Sequence, residues 1–171
     1  MTEWQPLTWR LFHNIALNYD NQYRDQYISF FETMKTIIPC KICRDHYNQQ
    51  LNSMNIQDNM DRIFNWTIDL HNNVNKMNHK RLWSYDEARD YYNVHNFNFG
   101  IMKQFIFQYI RLNFKKNPIK TNELFRMLKT LSYFHINIEK KNKLIDFTNK
   151  FDLNRTNIKS WIYAFLVILK S

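Results

Sequence analysis

The chain has 171 residues, a net charge of +9, 44% hydrophobic residues and 17% aromatic residues. One glycine and three prolines are too few for a fold of hairpins and tight turns, and two cysteines are too few for a disulfide scaffold. No signal-peptide pattern opens the sequence. The longest apolar run, beginning at Trp161, is about half of the ~18 residues a membrane span requires. A protein without a transmembrane segment, kept in the cytoplasm, is therefore expected.

In chain order, residues 7–19 predict a first helix, with Thr8 as its N-cap and Trp9, Phe12, His13 and Ala16 on one side. A second helix is predicted from Gln22 to Ile37. Tyr23, Tyr27, Phe30, Phe31 and Met34 give it a core-facing stripe. Pro39 ends it, because the residue before a proline is pushed out of the α region. A third helix is predicted from Cys40 to Gln50 and a fourth from Asp58 to Asn75. The capping-box pattern at Ser84 opens a short fifth helix through Tyr92. Further helices are expected at Ile101–Phe114, Glu123–His135 and Ile158–Leu169. The fold class is all-α: a four-helix bundle with a short fifth helix, followed by a further helical region.

Charge divides the chain unevenly. Residues 1–96 hold 10 Lys and Arg against 11 Asp and Glu, whereas residues 97–171 hold 14 against 4. Such asymmetry predicts two modules, 1–96 and 97–171, with different partners. An anionic surface is one candidate partner for the basic module. Its lysines outnumber its arginines 11 to 3, which favours contact with phosphate over reading of bases.

Both cysteines lie in "IIPCKICRDHY", two residues apart. At a helix start, peptide N–H groups and the helix dipole stabilise a thiolate, and Lys41 and Arg44 add positive charge. The pair therefore suits thiol–disulfide exchange. A purely structural disulfide closing so short a loop would restrain little of the unfolded chain. Zinc held by Cys40, Cys43 and His46 with His13, His71 or Asp45 is the alternative, attached to a nucleic-acid-binding or scaffold role. Against it, no second Cys or His pair with zinc-site spacing is present. Taken singly, His13 and His71 read as satisfied core histidines. Two of them flanking one Cys-x-x-Cys favour a shared ligand, with asparagines and lysines available to a large aromatic cofactor.

Trp9-x-x-x-His13 with Ala16 and Tyr19, Pro39-Cys40-x-x-Cys43, Trp66, and His71-Asn72-x-Val74-Asn75 occur in this order across residues 4–92. This arrangement resembles the FAD-linked sulfhydryl oxidases, the family of augmenter of liver regeneration, and most of all its minimal members from large DNA viruses. The resemblance implies FAD as cofactor and a thiol oxidase that forms disulfide bonds in substrate proteins, reducing oxygen to hydrogen peroxide. It implies Cys40 as the exchange-active cysteine and Cys43 against the flavin. Trp9, His13 and Tyr19 would line the flavin, and His71, Asn72, Asn75, Lys76 and Lys80 would hold the adenine, ribose and phosphates, with Trp83 nearby. It also implies a homodimer, a host-cytoplasm or virion location, and a protein dithiol substrate, thioredoxin-like in kind, because the chain has no second cysteine pair. Gln5 departs from the family's usual glycine, Asp20 departs from its usual proline, and residues 97–171 lie outside the resemblance.

Overall fold

The computed structural model describes residues 4–95, 99–113, 118–150 and 158–170. Among these residues there are helices and no strands. The helices are α1 (Trp4–Leu17), α2 (Arg24–Ile37), α3 (Lys41–Ser53), α4 (Ile63–Met77), α5 (Tyr85–Val94), α6 (Phe99–Asn113), α7 (Pro118–Leu131), α8 (Ile138–Asn149) and α9 (Ile158–Lys170). Three short 3-10 segments, Asn21–Tyr23, Gln57–Arg62 and Ser132–Phe134, bend the chain between them.

Helices α1 and α2 carry most of the packing and meet through Phe12 against Phe30 and Phe31. On one side α1 packs against α4 and α5, and α2 packs against α3. On the other side α1 packs against α6, and α2 against α7. Helix α8 then covers α7 and the last 3-10 segment, and α9 lies on α8 and α6. Of the predicted stripe on α2, Tyr27, Phe30, Phe31 and Met34 are buried, joined by Ile37, whereas Tyr23 is half-buried in the 3-10 segment before the helix. Helix α4 buries more than one stripe, since Trp66, Ile68 and Leu70 join Ile63, Phe64 and Thr67 inside.

The core is continuous from the first half into the second. Tyr109 of α6 is fully buried, edge-on to Trp4 at 6.4 Å between ring centroids. Its hydroxyl lies 2.9 Å from that of Thr8. Asn113 Nδ2 donates to the Ile37 carbonyl at 2.9 Å and to the Tyr109 carbonyl at 3.1 Å. The first of these satisfies a carbonyl at the C-terminus of α2, where no intrahelical partner exists. Arg126 of α7 adds a bond to Ser29 of α2. The end of α2, which leads into Pro39 and Cys40, is thus held from α6.

Several boundaries differ from the sequence expectations. Helix α1 begins at Trp4, and Thr8 lies inside it, its hydroxyl donating to the Trp4 carbonyl at 2.8 Å. Its apparent capping position hid a buried partner 101 residues away. Residues Gln57–Arg62 are 3-10, so α4 starts at Ile63. Helix α7 starts at Pro118, a residue suited to the first turn because its missing N–H would be unpaired there anyway. It stops at Leu131 rather than His135. Helix α8 was not expected; of its residues only Leu144 and Thr148 are buried, too little apolar patterning to reveal it. The capping box at Ser84 and Glu87 is formed as predicted. Phe114 and the module boundary after residue 96 lie outside the described residues.

Candidate functional site

Pro39 follows Ile38, whose backbone is extended at φ −53° and ψ 121°, and the chain restarts as α3 with Cys40 as its N-cap. Cys40 Sγ accepts from the Cys43 N–H at 3.2 Å. A free N–H of the first helical turn is thereby aimed at sulfur. The two cysteines are joined in a disulfide, with Cα atoms 5.2 Å apart. Both are half-buried, while Lys41 and Ile42 between them are exposed. Lys41 pairs with Asp45 at 2.8 Å, and this lowers the Asp45 carboxyl pKa. Arg44 donates to the Ile38 carbonyl at 2.6 Å, so its charge is fixed beside the pair.

Gln5, Trp9 and His13 are spaced four apart on α1 and therefore share one face. At the upper end of this stripe, Gln5 Nε2 lies 3.7 Å from Cys43 Sγ. At the lower end His13 meets His71, whose Nδ1 lies 2.9 Å from His13 Nε2. Eight residues of helix separate the ends, roughly 12 Å. Trp9 lies between them, stacked on His71 with ring centroids 4.3 Å apart and planes within 5°. Tyr92 of α5 closes over His13 at 4.9 Å.

Burial depresses both imidazoles. His13 is driven well below its usual pKa by desolvation and then by His71. His71 falls to about 4, by desolvation and then by the charge of Lys80. Both are neutral at physiological pH.

The structure therefore brings together Trp9, His13 and His71, and links them through α1 to Cys43. Asn72 lies one position further along α4 and clasps Trp83 twice, donating to its carbonyl at 2.8 Å and accepting from its N–H at 2.9 Å. Asn75 donates to the Arg81 carbonyl at 3.1 Å. These two asparagines fix the segment between α4 and α5, and Trp83 packs edge-on to Tyr91 at 5.5 Å. Lys76 and Lys80 are exposed at the C-terminal end of α4. Lys76 and His46 border a cavity of about 260 Å³ between α3 and α4. Tyr19 sits apart from the stacked rings. It packs edge-on to Tyr27 at 4.9 Å and borders a different cavity, of about 300 Å³, shared with Tyr133 and Lys141.

Sequence reasoning missed two participants. Gln5 registered only as a departure from a family pattern, and Thr67 was not singled out within the fourth helix. The four-residue spacing of Gln5 from Trp9 was the available signal for the first. The zinc arrangement is not formed: the sulfurs are bonded to each other, and no group of three or more His, Cys, Asp or Glu that could hold a metal exists among the described residues.

A disulfide at a helix N-terminus, joined by one helical face to a stacked aromatic and imidazole cluster, defines an all-helical thiol–disulfide redox protein. Residues 6–93 match the Erv1 / Alr family, and the chain belongs to it. It is 31% identical over 94 residues to a protein of Acanthamoeba polyphaga mimivirus named "probable FAD-linked sulfhydryl oxidase". That match covers 50% of this chain and 66% of the mimivirus protein. It is 30% identical over 102 residues to the FAD-linked sulfhydryl oxidases of two African swine fever virus isolates, Pig/Kenya/KEN-50/1950 and Tick/Malawi/Lil 20-1/1983, covering 54% of this chain and 82% of each relative. No solved structure matches the chain.

Proposed function

We propose that the chain is an FAD-linked thiol oxidase in which Cys40 and Cys43 carry the exchange and the Trp9–His13–His71 cluster belongs to the cofactor site. The observation that carries this reading is the continuous α1 face running from Cys43 to the stacked His71, inside the family match. The residues present fit FAD. Parallel rings suit a flat heteroaromatic group. His71 keeps one ring nitrogen free of protein partners among the described residues, and Lys76 and Lys80 supply positive charge for phosphates. In this reading Asn72 and Asn75 act by holding the segment that carries Trp83, and Tyr19 contributes from the far end of α1.

A substrate thiolate attacks Cys40 Sγ. The Cys40–Cys43 bond breaks, and Cys43 leaves as a thiolate that Gln5 Nε2–H and the N-terminal turn of α3 stabilise. A second substrate thiol, losing its proton, attacks the mixed disulfide. Cys40 then leaves as a thiolate facing the Cys43 N–H, and the substrate departs as a disulfide. FAD held at this site would supply a two-electron acceptor for the reduced pair, with oxygen as the terminal oxidant and hydrogen peroxide as its product.

The substrate in this reading is a separate protein with a reactive cysteine pair, thioredoxin-like in kind. The site of action is a host cytoplasm or virion, in keeping with viral relatives and with the lack, among the described residues, of a helix long and apolar enough to cross a membrane. The 14 Lys and Arg of residues 97–171 serve an anionic partner in this reading, and a steep salt dependence of binding to a polyanion would be the mark of it. A homodimer would be built on surfaces other than the faces of α1 and α2 that α6 and α7 cover. The test is the visible spectrum of the purified chain with and without dithiothreitol in oxygen-free buffer. A flavin spectrum that bleaches is expected. A chain that stays colourless after incubation with FAD overturns the proposal.

A further inference from the structure

The buried end of the α1 stripe carries three hydrogen bonds that run in one direction. Thr67 and His13 are both completely buried. The Thr67 hydroxyl has one proton, and it donates this to the Phe64 carbonyl at 2.7 Å. The same oxygen lies 2.9 Å from His13 Nδ1, so it accepts there and His13 carries its proton on Nδ1. A neutral imidazole has one N–H, which leaves His13 Nε2 bare. His71 Nδ1, 2.9 Å away, must then donate to it. His71 is left with its bare nitrogen at Nε2, and no group among the described residues donates to that atom. The stack on Trp9, 4.3 Å away and nearly parallel, holds the ring in place.

We propose that Thr67 is a positioning residue: acting through His13, it fixes His71 in the tautomer whose Nε2 accepts, so that the ligand on the Trp9–His71 face must present an N–H or O–H donor there. For FAD the matching groups are the adenine amine or a sugar or ribityl hydroxyl. The ligand on this face and the identity of its donor rest on the FAD reading; the direction of the bonds does not. Without the Thr67 hydroxyl, a buried His13 Nδ1–H would have no acceptor. The favoured arrangement then moves the His13 proton to Nε2, where it donates to His71 Nδ1. His71 Nε2 becomes a donor and repels the ligand's own donor.

The experiment is ¹⁵N NMR of the histidine side chains in the full chain, paired with FAD affinity measured by fluorescence. The variants are Thr67→Val, which keeps the shape, and Thr67→Ser, which keeps the hydroxyl. In the unmodified chain, His13 and His71 are expected with Nδ1 protonated and Nε2 bare. Thr67→Val is expected to reverse or mix both tautomers and to weaken FAD binding about tenfold, the worth of one hydrogen bond. Thr67→Ser is expected to restore both readings. A protonated Nε2 on His71 in the unmodified chain overturns the proposal without any variant. So does Thr67→Val with unchanged tautomers, or with changed tautomers and unchanged affinity. The expected tautomers in a chain that takes up no FAD would uphold the bond direction and overturn the FAD reading instead.

Discussion

Replacement of Tyr109 tests whether the second half of the chain is part of the unit that holds the redox site. The Thr8 proton is used on the Trp4 carbonyl, so the Tyr109 hydroxyl donates to Thr8 across the interface between α1 and α6. Tyr109→Phe removes that buried bond at a cost of about 1 kcal/mol. Tyr109→Ala also removes a fully buried ring that packs on Trp4 and on Phe105. A buried Phe→Ala change costs about 3–5 kcal/mol, so the total is about 4–6 kcal/mol. In a chain of this size each kcal/mol lowers Tm by about 2–4 °C. The expected losses are therefore about 2–4 °C for Tyr109→Phe and about 8–24 °C for Tyr109→Ala. The assay is a thermal melt of the full chain with FAD, following released flavin fluorescence and far-UV circular dichroism together. With one shared core both signals move together. If Tyr109→Ala left the flavin-release midpoint in place while part of the helical signal melted earlier, the shared-core reasoning would be refuted.

Cys40→Ser should retain the flavin spectrum and lose at least about 100-fold in dithiol turnover, since the exchange-active sulfur is gone; turnover near the unmodified rate would reject its role. In that same background Gln5→Leu should move the pH profile of Cys43 alkylation to higher pH, through loss of one donor to the thiolate. An unchanged profile would make the Gln5 contact incidental. Stability should fall in acid. With the His71 pKa depressed from 6.5 to about 4, the unfolded chain binds the proton first, contributing about 3 kcal/mol that is present above pH 6.5 and lost as pH falls toward 4. His13 is depressed in the same direction. Tm should therefore drop steeply between pH 6.5 and 4, less so in His71→Gln, and a flat profile would contradict the burial of the pair.

Elements with strong local signals were legible in the sequence. The stripe of Phe30, Phe31 and Met34, the stop at Pro39 and the Ser84–Glu87 box each depend on neighbours within about two turns, and each is formed. The cysteine pair was legible for the same reason, with Cys40 as the cap of α3. What escaped depends on distant partners. Thr8 resembles a cap until Tyr109 is placed beside it. Thr67 resembles an ordinary face residue until His13, 54 positions earlier, takes its oxygen. Asn72 and Asn75 read as polar groups available to a ligand, whereas the fold gives them the backbone of residues 81–83 to hold. Helix α8 was missed because its few buried positions do not form a recognisable period.

The cover that α6 and α7 lay over α1 and α2 belongs to the same polypeptide. A separate subunit on that surface would leave as the protein is diluted, and its protection would depend on how much of it had been made. A cover carried on the same chain is present one to one with the surface it covers. The α1 and α2 surface thus stays sealed at any abundance, from the first molecules translated onward.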